Sequence, residues 1–201
     1  GMKAAQLILK GGYDKIVLTR PNVSTGRSLG YFPGSVEEKM TPWLKPIMNV
    51  LQDGLGKGRY DYMVSKEQIQ IQPIETIRGN SFENCIIIVD EAQDMTPMQL
   101  ESIRRRSGSG DILLMGDLAQ ATGPWVHSSW NAIADCVNKP IERLDELEFG
   151  YRVPKQVFEY ASKVLSHINP QLKSPRLVRD VAETPIVTIS DDYDELIDQL
   201  I

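Results

Sequence analysis

CIIIVDEAQ, residues 85 to 93, is the stretch that decides the fold. Ile86, Ile87, Ile88 and Val89 form a β-branched run with no polar alternation. Such a run predicts a strand buried on both faces, as in a parallel sheet covered by helices. It leads straight into Asp90 and Glu91. Open α/β sheets bind ligands at the carboxyl ends of their strands, so the two carboxylates stand where a ligand is expected. An Asp there can hold a magnesium ion, and the Glu after it can polarise a water. The ordinary alternative is a buried strand that ends in a solvated acidic turn.

The neighbouring segments repeat the pattern. Asp111 to Met115 is a second short apolar strand, followed at once by Gly116, Asp117, Leu118, Ala119 and Gln120. Two strands that each deliver an acidic or amide group to one edge make a site more credible than either alone. Asp90 and Asp117 are therefore expected on one edge of a parallel sheet. Between the two strands, Asp94 or Thr96 can cap a helix with Pro97 in its first turn. Arg104, Arg105 and Arg106 close that helix, where cations complement its dipole.

Further out, Met2 to Lys10 reads as a helix stopped by Gly11 and Gly12, and Lys15 to Thr19 as a short strand. Asn22 to Gly34 reads as an ordered loop where Arg20, just before it, and Ser24, Thr25 and Arg27 can meet phosphates; the ordinary alternative is a plain polar loop. Val36 to Leu55 reads as a helix broken at Pro42 and near Pro46, with Trp43, Leu44, Ile47, Val50 and Leu51 on its apolar face. Gly54, Gly56 and Gly58 close it, with no helix expected after them. Residues 68–71 and 73–77 read as a strand and its continuation. Arg78 can serve a phosphate or a backbone carbonyl. Trp125 and Trp130 can stack on a base or pack between helices. Pro154 opens an amphipathic helix, with Val157, Phe158, Ala161, Val164 and Leu165 inward. Residues 170–185 read as a linker or edge segment, and Pro185 to Ser190 as a strand. His127 and His167 have no metal or triad spacing and fall to surface or packing.

Composition sets outer bounds. The 201 residues, 41% hydrophobic, suffice for one domain or one domain and part of another. A net charge of -5 argues against a generic basic nucleic-acid coat while leaving room for a local basic groove. The two cysteines, Cys85 and Cys136, suggest neither a metal site nor a disulfide framework. That cysteine usage makes the reducing cytoplasm the expected compartment. No apolar stretch is long enough for a membrane span and no signal-like N-terminus is present.

Residues from about 12 to 110 resemble the PhoH family of P-loop ATPases. The likeness lies in VLTRPNVSTGRSLGYFPGSVEEKMTPWLKPI, in ETIRGNSFENCIIIVDEAQDMTP and in the basic helix after it. Residues from about 113 to 181 resemble the UvrD and HelD side of superfamily 1 helicases, in GDLAQATGPW, in LEFGYRVPKQVFEYASKVL and in PRLVRD. These resemblances imply an α/β fold, a mostly parallel sheet flanked by helices on a RecA-like core. They also imply ATP and Mg2+ as cofactors. Asp90 would hold the magnesium and Glu91 would activate the attacking water. Gln93 and Gln120 would sense the γ-phosphate, with Asp117 positioning that network. Tyr151 would stack on adenine, and Arg152 would reach the γ-phosphate as an internal arginine finger. Thr19, Arg20 and Pro21 would touch nucleotide or single-stranded backbone.

The phosphate-loop pattern GxxxxGK(S/T) is not among these residues; the resemblance places it just before Met2. The domains expected are a partial ATPase domain over 2–150 and a continuation over 151–201 that begins a second motor segment. The implied parent activity is ATP hydrolysis coupled to movement on, or remodelling of, single-stranded DNA or RNA. One rival is a PhoH-type ATPase with an RNA-related role and no translocation. Another is a catalytically inactive interaction module on the same fold.

Overall fold

The computed structural model describes residues 1–21, 36–122, 125, 127–140, 142–144, 149–168 and 176–181. The chain divides into two compact units, Gly1–Ile141 and Glu142–Ile201.

The first unit is built on four parallel strands: β1 (Lys15–Thr19), β2 (Ile69–Ile71), β3 (Cys85–Val89) and β4 (Asp111–Leu114), in the order β2-β1-β3-β4. β3 is central and buried at every position. Its five residues pair with the whole of β1, Lys15 against Cys85 through Thr19 against Val89. On the other side Ile86 to Val89 pair with Asp111 to Leu114.

Successive strand side chains point to opposite faces, and each face has its own core. Ile16, Leu18, Ile86 and Ile88 pack with helices α1 (Met2–Leu9), α2 (Val36–Leu55) and α3 (Lys57–Ser65), through Ala4, Ile8, Leu44, Leu51 and Met63. Val17, Ile87 and Val89 face α4 (Ile74–Ile77), α5 (Pro97–Arg106) and α6 (Trp130–Val137), through Ile77, Leu100, Ile103 and Ile133. Each such buried Ile or Leu contributes about 1.5–3 kcal/mol by leaving water. The uninterrupted apolar run in β3 is therefore what a strand needs when both its faces are covered.

α5 starts as its sequence demands. Thr96 caps it, its hydroxyl accepting from the Gln99 backbone N–H while the Gln99 side chain accepts from the Thr96 N–H, with Pro97 in the first turn.

Four expectations need correction. α2 runs unbroken through Pro42 and Pro46. Each proline removes one ladder bond, but the buried face of Met40, Leu44, Leu51 and Leu55 outweighs the loss. The glycine-rich stretch after α2 does not end the helical region. Gly56, at φ 79, turns the chain and α3 begins at the next residue, burying Tyr60 and Met63. Residues 74–77 continue β2 not as strand but as the short helix α4, because Pro73 cannot donate to a ladder. Finally, Val157 and Ala161 are exposed and Phe158 only half-buried within the second unit.

That second unit contains β5 (Phe149–Gly150), α7 (Lys155–Ile168) and β6 (Arg176–Leu177). β5 and β6 pair in parallel, so part of the expected linker or edge segment is a short strand. The Lys155 N–H donates to the Arg179 carbonyl at 2.9 Å, tying the start of α7 to the segment after β6. The strand expected over 185–190 and the loop residues Ser24, Thr25 and Arg27 lie outside the described residues.

Candidate functional site

The carboxyl ends of β1, β3 and β4 form one edge, and polar groups gather there. Asp90 follows β3 directly, and its N–H donates to the Thr19 carbonyl at 2.9 Å. Glu91 takes a left-handed backbone, φ 51 and ψ 44, uncommon for a side chain with a Cβ. The turn after it explains how that conformation is held. The Ala92 N–H donates to the Met115 carbonyl at 2.8 Å, and the Asp94 N–H to the Glu91 carbonyl at 3.0 Å. The end of β3 is thus bonded to the end of β4, and the backbone strain sits on a candidate catalytic residue.

Gln93 is the bridge. Its Nε2 donates to Glu91 Oε2 at 2.7 Å, and its Oε1 accepts from the Asp117 N–H at 3.1 Å. It is buried, and an amide can do both jobs at once because it carries a donor and an acceptor. Gly116 makes room for it: a Cβ there would lie 2.0 Å from Gln93 Oε1. Asp117 in turn accepts from Gln120 Nε2 at 2.8 Å and from the Ala119 N–H at 2.9 Å. Asp94 Oδ1 accepts from the Thr122 N–H at 2.8 Å, which pins the next loop to the same edge.

Arg20, just past β1, supplies positive charge. Its guanidinium lies 3.6 Å from Asp90 and 3.9 Å from Glu91. It also lies 5.5 Å from the centroid of the Trp43 ring, within cation–π range. Burial pushes the Asp90 carboxyl up from its ordinary value; Arg20 draws it down, Glu91 pushes it up again, and the Glu91 N–H draws it down. The Thr19 hydroxyl, at the same edge, is buried without a hydrogen-bond partner.

These residues fit a magnesium ion held jointly with phosphates. Asp90 is partly desolvated, and Arg20 stands beside its carboxylate at 3.6 Å without a direct hydrogen bond. No group of three or more His, Cys, Asp or Glu among the described residues could hold a metal by itself. Magnesium does not need one, because it binds through one or two carboxylates, waters and substrate phosphates.

Six of the eight residues expected from sequence therefore stand together: Arg20, Asp90, Glu91, Gln93, Asp117 and Gln120. Tyr151 and Arg152 belong to the second unit. There Tyr151 is 71% exposed, and the Arg152 carbonyl accepts from Arg179 at 3.1 Å. Glu148, the carboxylate that could pair with Arg152, lies outside the described residues. Trp43 is the residue that sequence reasoning missed. It reads there as part of an apolar helix face, yet it is 47% exposed and carries the Arg20 guanidinium. His127 is a packing residue, as expected: it is buried, and its Nε2 lies 2.6 Å from the Met95 carbonyl.

Comparison with known proteins bears on this edge. A family model described as PhoH-like protein matches residues 2–151. The PhoH-like protein of Bacillus subtilis (strain 168) is 34% identical over 148 residues, 73% of this chain and 46% of that protein. The PhoH-like protein of Synechocystis is 32% identical over 140 residues, 69% of this chain and 43% of that one. Protein PhoH of Escherichia coli (strain K12) is 31% identical over 149 residues, 73% and 40% of the two chains. The chain thus spans less than half the length of these relatives. The family match continues through residues 113–151, where the motifs resemble UvrD and HelD, and the helicase resemblance gains no support from it. The chain belongs to the PhoH-like family, a family of P-loop NTPases.

Proposed function

We propose that this chain carries the hydrolytic edge of a PhoH-type ATPase with an RNA-related role and no translocation. The observation that carries the reading is the bridge from Glu91 through Gln93 to Asp117 across the ends of two neighbouring strands. Asp90 would hold magnesium, which supplies positive charge to the phosphates and neutralises charge that develops in transfer. Glu91 accepts the proton of the attacking water on a carboxylate oxygen. Gln93 fixes the rotamer of Glu91 by its 2.7 Å bond, so the base is oriented before substrate arrives. The same amide reports any movement of Glu91 to Asp117, and from Asp117 to Gln120. Tyr151 is assigned to adenine stacking and Arg152 to the γ-phosphate, both on the resemblance of LEFGYRVPKQ. The RNA-related role rests on the family resemblance, and the cytoplasm on cysteine usage. Among the described residues no helix is long and apolar enough to cross a membrane.

The test is nucleotide titration by calorimetry with Mg2+, on this chain and on one extended to carry a GxxxxGK(S/T) loop. The reading expects ATP binding in the extended chain that Asp90→Asn weakens, and much weaker binding in the chain as it stands. The phosphate cradle and its Lys supply most of the positioning that phosphoryl transfer needs. ATP binding that is indifferent to Asp90 overturns the site.

A second reading, an ATP-driven helicase or remodelling motor on single-stranded DNA or RNA, is favoured by the resemblance of GDLAQATGPW to a helicase motif. ATP-dependent strand separation by the extended chain would select it over the first.

A further inference from the structure

We propose that Arg20 is a resident counter-cation of the Asp90–Glu91 pair, held there by Trp43, and that a divalent cation must displace it to reach Asp90. The inference rests on the nucleotide reading of the site and adds two positioning residues to it.

One guanidinium makes three contacts: Asp90 at 3.6 Å, Glu91 at 3.9 Å and the Trp43 ring at 5.5 Å. Neither carboxylate is close enough for a direct hydrogen bond. Arg20 thus balances charge without locking into the paired fork that arginine makes with carboxylates elsewhere. Its side chain and that of Asp90 are each about one-fifth exposed, 23% and 22%, so the attraction is screened only in part. An arginine keeps its charge, and it can leave the pair only by moving. A divalent ion bound on Asp90 would stand a few ångström from that charge, and the two repel. The indole contact is made while the guanidinium faces the pair, so displacing Arg20 gives up that contact as well. Trp43 comes from α2, a different element from the β1 strand that Arg20 follows, and is 47% exposed.

Trp43 acts only through Arg20 in this scheme, and that is what makes it testable. The probe is Mn2+, followed on the full chain by its enhancement of water proton relaxation, which needs no turnover. Arg20→Gln should tighten Mn2+ binding about tenfold, since one opposing charge is removed from a partly desolvated site. Trp43→Leu should tighten it in the same direction by about twofold, because a cation–π contact at a partly exposed site is the weaker restraint. Trp43→Phe and Arg20→Lys should stay close to the parent chain. In the Arg20→Gln background, Trp43→Leu should change nothing further, the signature of two residues acting in series. Loss of Mn2+ binding in Asp90→Asn fixes where the ion sits.

Unchanged or weaker Mn2+ binding in Arg20→Gln, with binding still lost in Asp90→Asn, overturns the counter-cation and leaves the nucleotide reading standing. An effect of Trp43→Leu that persists without Arg20 overturns the serial arrangement. Mn2+ binding that survives Asp90→Asn overturns both the proposal and the reading beneath it. Should Arg20→Gln fail to fold, Arg20→Met is read in its place by the same criteria, and equal affinity in Trp43→Leu and the parent chain overturns the role of Trp43.

Discussion

At the amino ends of β3 and β4, Gly110 packs against backbone alone; at their carboxyl ends, Gly116 packs chiefly against a side chain. A Cβ on Gly110 would lie 2.3 Å from the Cys85 carbonyl and 2.9 Å from that of Ser107. A Cβ on Gly116 would lie 2.0 Å from the end of the Gln93 side chain and 3.1 Å from the Ala92 backbone nitrogen. The rest of each end follows suit. At the amino end, the Tyr13 hydroxyl donates to Asp111 at 2.5 Å, the Asn84 amide to Asp14 at 2.6 Å, and Lys139 to the carbonyls of Gly108 and Gly110. Burial pushes the Cys85 thiol up to about 11, so it stays a packing group. At the carboxyl end stand a strained Glu91, a desolvated Asp90 and an arginine that hydrogen-bonds neither. The same strands are closed at one end for stability and left adjustable at the other for chemistry.

The sharpest break in this contrast is Gly110→Ala. Backbone must shift, a cost of about 3 kcal/mol, or roughly 6–12 °C in melting temperature for a chain of this size. Any turnover per folded molecule should stay unchanged. A melting temperature within a degree of the parent would show that the amino end is as adjustable as the other.

Gly116→Ala should behave in the opposite sense. Gln93 can swing aside and the Ala92 nitrogen at 3.1 Å need give only slightly, so the stability loss is mainly that of the two Gln93 hydrogen bonds, about 1–2 kcal/mol or roughly 2–8 °C. Glu91 and Asp117 then lose their common partner. ATP turnover in the phosphate-loop-extended chain should fall by more than the loss of folded protein explains. Parallel losses of fold and turnover would make Gln93 a structural amide only.

Asp90→Asn carries the smallest effect and a diagnostic sign. Burial raises the proton affinity of Asp90 in the fold above that of the unfolded chain, so its ionised form is kept at a cost. Stability from this group is fully present below the ordinary value of 3.8 and is lost as pH rises through the raised value. The amide escapes that loss. Asp90→Asn should melt about 1–2 °C above the parent chain at pH 7 and level with it at pH 3. A lower melting temperature at pH 7 would mean that the ion pair with Arg20 outweighs burial.

Much of the sheet was legible because β-branched runs and their flanking residues are local signals. The β-branched run of CIIIV reads locally as a doubly covered strand, and Asp94 or Thr96 with Pro97 reads as a helix start. α2 was misjudged because Pro42 and Pro46 read as breaks, whereas burial of Leu44 and Leu51 against the sheet is a tertiary effect that no local rule contains. α3 escaped notice because its apolar positions are sparse and Gly58 lies inside it. The acidic half of the site was visible as two strand ends. The Arg20–Trp43 contact was not, since it joins residues on separate elements and Trp43 fits an apolar helix face equally well. Gln93 stood out by resemblance, but its bridging role needed the register of β3 against β4.

The most direct measurement is ATP turnover of Glu91→Gln in the phosphate-loop-extended chain, with ATP binding measured on the same preparation. The amide keeps the shape of the carboxylate and cannot take a proton. Binding should hold, while turnover falls about 100- to 10,000-fold, the usual loss of a general base. Turnover per folded molecule equal to that of the parent would contradict the assignment of the β3 carboxyl end as the hydrolytic site.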